Sequence, residues 1–454
     1  SWALFDMGAV EESEYYLSYA LVWCSEQLQE QIEEKQSAEE AVQIDERDRR
    51  LWDASVSLIS QLFRLEKPEK AEQIITPLLD LLTLSGESSL QADYFYRILD
   101  IVLSSGQGDA HLYRQITDRI LFISDSAMRA ETLRRTLERM WQIGIKGDVS
   151  SLAQHAAAAL SGMDERVPQA AGMLYLAGIL RLMDQSVRGL ESDRLMDRGI
   201  GLWRSADMWA VEKNNAALAT RGGLLTGRDT FVNEVLTSLP GAIARIDILL
   251  DQAGWFASSG LPQQARSLLQ RVENEIASLP ELAANPALYS LQIRLALGWQ
   301  QLGNMQAVEA IAAASASWRE IFWYDQPETA LALCQILAAG VPPTQANERI
   351  AAVIAALRSP EDRALVYTRL YVLAPASQLD FLQSLVLREL PFLLRRVDWG
   401  SKNQFSQDIE GLIRRAAQRG DTALLAELRS IRPPEAHRVG IEARYAHALI
   451  VREQ

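Results

Sequence analysis

The chain has 454 residues, 48% of them hydrophobic and 23% charged, a composition that supports a packed core and excludes global disorder. Its formal net charge of −14 at pH 7 argues against a nucleic-acid binder, which needs a basic face to neutralise phosphates, and against general adhesion to anionic lipid. The two cysteines, Cys24 and Cys334, sit far apart in apolar helical contexts and read as small buried hydrophobes, with no disulfide to be argued from sequence.

The charge is uneven. From Val386 to the end there are 12 Lys/Arg against 9 Asp/Glu, a net of +3, so residues 1–385 carry −17. No apolar run reaches the roughly 18–20 residues of a membrane span; ALALCQILAAGV at 330–341 is among the longest. The chain begins at Ser1 without an initiator Met, which reads as a processed form whose targeting segment lies outside the sequence. With the low cysteine use, the expected setting is a bacterial exported or periplasmic protein, with membrane attachment through a missing, lipid-anchored N-terminus.

In chain order, residues 1–25 predict an opening helix. Its Tyr15, Tyr16, Tyr19 and Trp23 form an aromatic stripe at helical spacing, expected to lie in the core. Residues 26–50 are polar nearly all round, with nine acids and four bases, and are expected as a solvated helix end or loop. From Leu51 onward helical hairpins recur. Leu58, Ile59 and Leu62 share a face, a turn follows at Glu66–Pro68, and Ala71, Ile75 and Leu78 continue on a second helix that Pro77 should kink or shorten. Further turns fall at Ser104–Gly108 and Gly144–Asp148. The segment 170–183 (AAGMLYLAGILRLM) is apolar on nearly every side and reads as a buried helix. Beyond it, 184–240 is an irregular middle, where glycines at 199, 201, 222, 223 and 227 interrupt helix propensity.

The clearest stretch is Ile246–Ala314. Leu249, Ala253, Phe256 and Ala257 fall at offsets of three and four, on one helix face. Gly260 closes that helix, Pro262 sits in the first turn of the next, and Ala265, Leu268, Leu269 and Val272 form its apolar face. Leu295, Ala296 and Trp299 repeat the pattern before a turn at Gly303. Later hairpins turn at Gly340–Pro343, Ala374–Ala376 and Gly420, and 432–454 reads as a polar-faced capping helix.

This spacing resembles the tetratricopeptide repeat: Leu249, Ala253, Phe256, Ala265 and Leu269 fall on its signature positions. Gln252 stands where Leu is usual, Ala277 where the helix-ending Pro is usual, and Val308 and Ala312 replace the usual Ala and aromatic. Turns near 67, 106, 147, 260, 303, 340, 375 and 420 recur with a period of about 40 residues, so the gap from 147 to 260 should hold two more. The expected fold is all-α: a right-handed, tetratricopeptide-like α-solenoid of about ten helical hairpins, continuous over 1–454.

The sequence offers little chemistry. RGGLLTGRD (221–229) lacks the Lys-Ser/Thr and the preceding strand that a phosphate loop needs, and His111, His155, His437 and His447 form no close helical pair. No catalytic, cofactor-binding or metal residue is assigned, and no cofactor is expected. The candidate partner-binding residues are Trp318, Arg319, Trp323 and Tyr324, because an exposed aromatic beside an arginine suits a binding hot spot. The competing reading makes these core aromatics at an inter-repeat joint. Trp203 and Trp209 pose the same question. The expected function is a non-catalytic scaffold or adaptor binding a protein or peptide along a concave surface, the role that the resemblance implies. The alternatives are a small-molecule-binding helical-repeat module and a helical-toroid hydrolase using paired carboxylates. Recognition is expected in the irregular parts, 184–240 and 317–326.

Overall fold

The computed structural model describes residues 10–37, 44–106, 110–145, 149–183, 190–206, 212–278, 286–318, 323, 325–374, 379–395 and 403–430. Among them are 21 α-helices and one 3-10 turn at Ser315–Ser317. None of these helices is long and apolar enough to cross a membrane. By contact the chain falls into two compact units that divide at Gly241 and Ala242.

The first unit holds α1 (Val10–Ser37), α2 (Glu46–Arg64), α3 (Pro68–Ser85), α4 (Ser88–Ser105), α5 (Ala110–Ile120), α6 (Ser126–Gln142), α7 (Val149–Ser161), α8 (Arg166–Leu182), α9 (Ser192–Ser205), α10 (Lys213–Thr226) and α11 (Asp229–Thr237). The second holds α12 (Ala242–Ser258), α13 (Pro262–Ala277), α14 (Pro286–Gln301), α15 (Met305–Ala314), α16 (Pro327–Gly340), α17 (Pro343–Ala355), α18 (Pro360–Leu373), α19 (Leu379–Leu394), α20 (Asn403–Gln418) and α21 (Thr422–Ser430). In each unit every even-numbered helix packs on the odd-numbered helix that follows it and on the next even-numbered helix. The result is five stacked hairpins per unit among the described residues, with α1 as an additional helix against α2 and α3. The expected all-α array of about ten hairpins is therefore present, built as two units.

The hairpins form for local reasons. In the α12–α13 pair, Gly260 takes a left-handed φ of 74°, which only glycine adopts without steric cost. Pro262 opens α13 where its missing N–H is not needed. Leu249, Ala253, Phe256, Ala265 and Leu269 are all buried between the two helices and their neighbours. The same division recurs at α3, α16, α17 and α18, each of which carries proline in its first turn. The two additional turns lie between α8 and α9 and between α10 and α11, closing the gap in the turn series.

Four expectations change on contact with the tertiary structure. Of the kink or shortening expected at Pro77, shortening does not occur: α3 runs on to Ser85, with Ile74, Ile75, Leu78 and Leu79 around the proline fully buried. Of the five glycines expected to interrupt helices, only Gly227 does so, ending α10 at a left-handed φ of 71°; Gly199 and Gly201 lie within α9 and Gly222 and Gly223 within α10. There Gly222 and Gly223 let helices touch. A Cβ on Gly222 would stand 2.3 Å from the Leu174 carbonyl oxygen, so α10 lies backbone against backbone on α8. As the sequence suggests, α8 is buried on all sides from Gln169 to Leu180.

The third change concerns 26–50. Leu28 and Ile32 are buried, and Asp48 accepts hydrogen bonds from Gln31 Nε2 at 2.7 Å and Lys35 Nζ at 2.9 Å. Trp52 Nε1 donates to Gln31 Oε1 at 3.3 Å, so this acidic stretch carries a buried polar network joining α1 to α2. The fourth concerns the aromatic stripe. Leu17, Leu21, Cys24, Leu28 and Ile32 occupy the core face of α1, and Tyr15, Tyr19 and Trp23 point outward. Cys24 and Cys334 are both free and buried, and burial pushes both thiols up. The expected capping helix at 432–454 lies outside the described residues.

Candidate functional site: a carboxamide cleft in the second unit

Most successive even-numbered helices are tied together by arginines. In the first unit Arg97 Nη1 of α4 donates to Asp53 of α2 at 2.8 Å, and Arg139 Nε of α6 lies 2.6 Å from Asp100 of α4. The Tyr175 ring of α8 then meets the guanidinium of Arg134 at 4.6 Å and that of Arg221 at 5.2 Å. In the second unit Arg294 of α14 pairs with Asp247 and Asp251 of α12. Arg369 of α18 bridges Glu328 of α16 and Asp408 of α20. Each pair joins residues about one repeat apart, so the ladder fixes the register of one hairpin on the next.

In the second unit a cleft of about 240 Å³ opens where α14, α16 and α18 end. Gln300 and Gln301 come from the last turn of α14, Gln335 from α16, and Leu297, Leu370 and Leu373 supply apolar wall. Among the described residues none of the three glutamine side chains has a hydrogen-bond partner, and Leu373 is 57% exposed. The lining contains no ionisable side chain among the described residues. It offers neutral carboxamides, each able to donate and to accept, spaced between leucines.

The α18 wall is held from behind. Arg419, in the α20–α21 turn, donates to the Tyr371 carbonyl at 2.9 Å and to the Ala374 carbonyl at 2.7 Å, satisfying the last turn of α18. Tyr371 Oη donates to Asp421 Oδ2 at 2.8 Å, and burial together with that carboxylate pushes the phenol up. Burial lowers the Arg419 guanidinium, with Arg415 adding like-charge repulsion. A second hollow, about 350 Å³, lies between the N-termini of α6 and α8 with Asp125, Asp164 and Glu165 around it. Asp125 there already accepts the Met128 backbone N–H at 2.8 Å as a helix cap.

Of the sequence-predicted partner residues, Trp318 and Trp323 do not line the cleft. Trp318 is half-buried and stacks on Tyr289 of α14, with ring centroids 4.7 Å apart and planes at 18°. Trp323 is buried at 9% exposure, and its indole N–H donates to the Val353 carbonyl of α17 at 3.0 Å. An exposed aromatic is therefore not what Trp323 provides; it packs at an inter-repeat joint. Arg319 and Tyr324 lie outside the described residues. Trp203 is likewise buried, edge-on to Phe231 at 6.3 Å, and Trp209 lies outside the described residues. His111 and His155 are exposed, and no group of three or more His, Cys, Asp or Glu among the described residues is placed to hold a metal. Sequence reading misses the glutamines because a carboxamide on a helix looks like any solvated residue. Their alignment depends on how three helices from three hairpins end side by side.

No protein-family model and no curated protein matches the chain. A solved structure described as "Circular tandem repeat protein with novel repeat topology and enhanced subunit contact surfaces" aligns with 98% of this chain and 93% of that one, at 14% identity and a TM-score of 0.22. At that level of superposition the assignment to a helical tandem-repeat fold rests on the helices and contacts described above.

Proposed function

We propose that this protein is a non-catalytic helical-repeat scaffold of tetratricopeptide-like type that binds an extended peptide segment of a partner protein in the second unit. The observation that carries this reading is the set of three carboxamides, Gln300, Gln301 and Gln335, that have no hydrogen-bond partner among the described residues and stand among Leu297, Leu370 and Leu373. A carboxamide matches the donor-acceptor pair of a peptide group, and the leucines suit an apolar side chain beside it. The tetratricopeptide-like assignment is supported by the burial of Leu249, Ala253, Phe256, Ala265 and Leu269, the positions on which the resemblance rests. For the cleft itself a small-molecule site is the weaker reading, because about 240 Å³ falls below the roughly 300–1,000 Å³ of ligand pockets. A hydrolase using paired carboxylates finds none in the cleft among the described residues; three acids, Asp125, Asp164 and Glu165, surround the second hollow, where Asp125 is engaged as a helix cap.

The test is a peptide array of short leucine-containing sequences, followed by anisotropy titration of the best binder. Gln335→Ala and Gln300→Ala should each weaken binding about tenfold, the loss of one or two hydrogen bonds at about 1 kcal/mol each. Both variants should melt like the parent, because neither side chain has a hydrogen-bond partner among the described residues. Peptide affinity unchanged in the double variant would remove the cleft as the binding site.

A further inference from the structure

A separate exposed face lies on α1 of the first unit and shares no residue with the cleft. The outward face of α1 carries Tyr15 and Tyr19, each 72% exposed, Val22 at 56% and Trp23 at 47%. A solvated helix face does not ordinarily carry that much aromatic area, and Tyr and Trp are the residues enriched at interface cores. The same face continues for three more turns as Glu26, Glu30, Glu33 and Glu34, all exposed. Among the described residues these glutamates have no cationic partner; Glu30 and Glu33 accept only from Gln27 and Gln29. The opposite face, Leu17 to Ile32, is already used in packing on α2 and α3.

We propose that this face docks an amphipathic helix of a partner protein, apolar in one half and rich in Lys or Arg in the other, laid against α1 as one further helix of the stack. The aromatic half would bury the apolar residues, and the four glutamates would pair with the basic ones. Charge selects the occupant. A second copy presenting this same face would set glutamate against glutamate. A plain apolar helix would use only half of the face.

The experiment uses the full chain and two labelled helical probe peptides with the same leucine stripe in one half, one carrying lysines in the other half and the other glutamates. The lysine peptide should bind at least tenfold more tightly by anisotropy, with affinity falling as salt rises. Glu30→Lys/Glu33→Lys should invert the preference between the two peptides. Tyr19→Ser/Trp23→Ser should abolish binding of both with an unchanged thermal melt, because these side chains are exposed. Gln335→Ala should leave binding intact, which separates this surface from the cleft. Failure to bind the lysine peptide, equal binding of both, or a self-associated protein that Tyr19→Ser/Trp23→Ser turns into a monomer would each overturn the proposal.

Discussion

At the scale of single residues, two glycines of the middle region make opposite predictions. Gly222→Ala places a methyl against the Leu174 backbone at 2.3 Å, and backbone cannot rotate away. It should destabilise the first unit by about 1–3 kcal/mol, the usual cost of overpacking. Gly201, also within a helix, has open space where its Cβ would be. Gly201→Ala should therefore stabilise by about 0.5–1 kcal/mol through helix propensity. Paired denaturant melts check both, and a Gly222→Ala protein as stable as the parent would contradict the close approach of α8 and α10. Trp323→Ala should cost about 3–5 kcal/mol, as core tryptophans do, and Trp323→Phe should cost about 1 kcal/mol of it by leaving the Val353 carbonyl unpaired. A surface hot spot would instead lose partner binding with stability unchanged. The sequence showed that tryptophans cluster near 317–326 but not which way each points, because that depends on α14 and α17.

At the scale of elements, helix position was the legible part and helix facing was not. Apolar periodicity and the Gly and Pro punctuation located most of the hairpins, and the period of the turns implied the two in the region of weakest pattern. On α1 two apolar stripes compete for the core, Leu17–Leu21–Cys24–Leu28 and Tyr15–Tyr19–Trp23, and periodicity alone favours neither decisively. The aliphatic stripe wins because it extends four turns to Ile32, whereas the aromatic one gives way to glutamates after two. The arginine ladder belongs to this scale too. Arg369 is largely buried and holds acids on both neighbouring even-numbered helices. Arg369→Ala should destabilise the second unit by about 2 kcal/mol, between the value of an exposed pair and that of a buried one. Native-state hydrogen exchange should show the loss of protection concentrated in α16, α18 and α20, since a stacked array passes strain to nearest neighbours. Uniform loss over the first unit would count against that picture.

At the scale of the whole molecule, stability should fall steeply in alkali. Burial and the Asp53 carboxylate raise the Tyr94 phenol to about 12, and burial pushes Tyr175, Tyr367 and Tyr371 up as well. A raised folded-state value means the native protein holds the phenolic proton more tightly than the unfolded chain. That stability is complete below the ordinary tyrosine value of about 10 and is lost as pH climbs from there toward the folded-state values. Tyrosinate absorbance should accordingly appear together with loss of helical circular dichroism, and Tyr94→Phe should remove part of the alkaline slope. Titration of these tyrosines with the helices intact would show that they are more exposed than their packing implies.

The sequence by itself determined the fold class, the hairpin period, the buried helix at 170–183 and the absence of a recognisable catalytic motif. All of these are local properties, encoded in apolar spacing, turn residues and composition within one or two helices. The tertiary structure decided which of two apolar faces of α1 is covered, which tryptophans are core, how closely glycines bring α8 and α10 together, and which glutamines meet across three repeats. Those outcomes depend on contacts between residues about one repeat or more apart. Such contacts depend on register between hairpins, which the pattern within one hairpin does not specify.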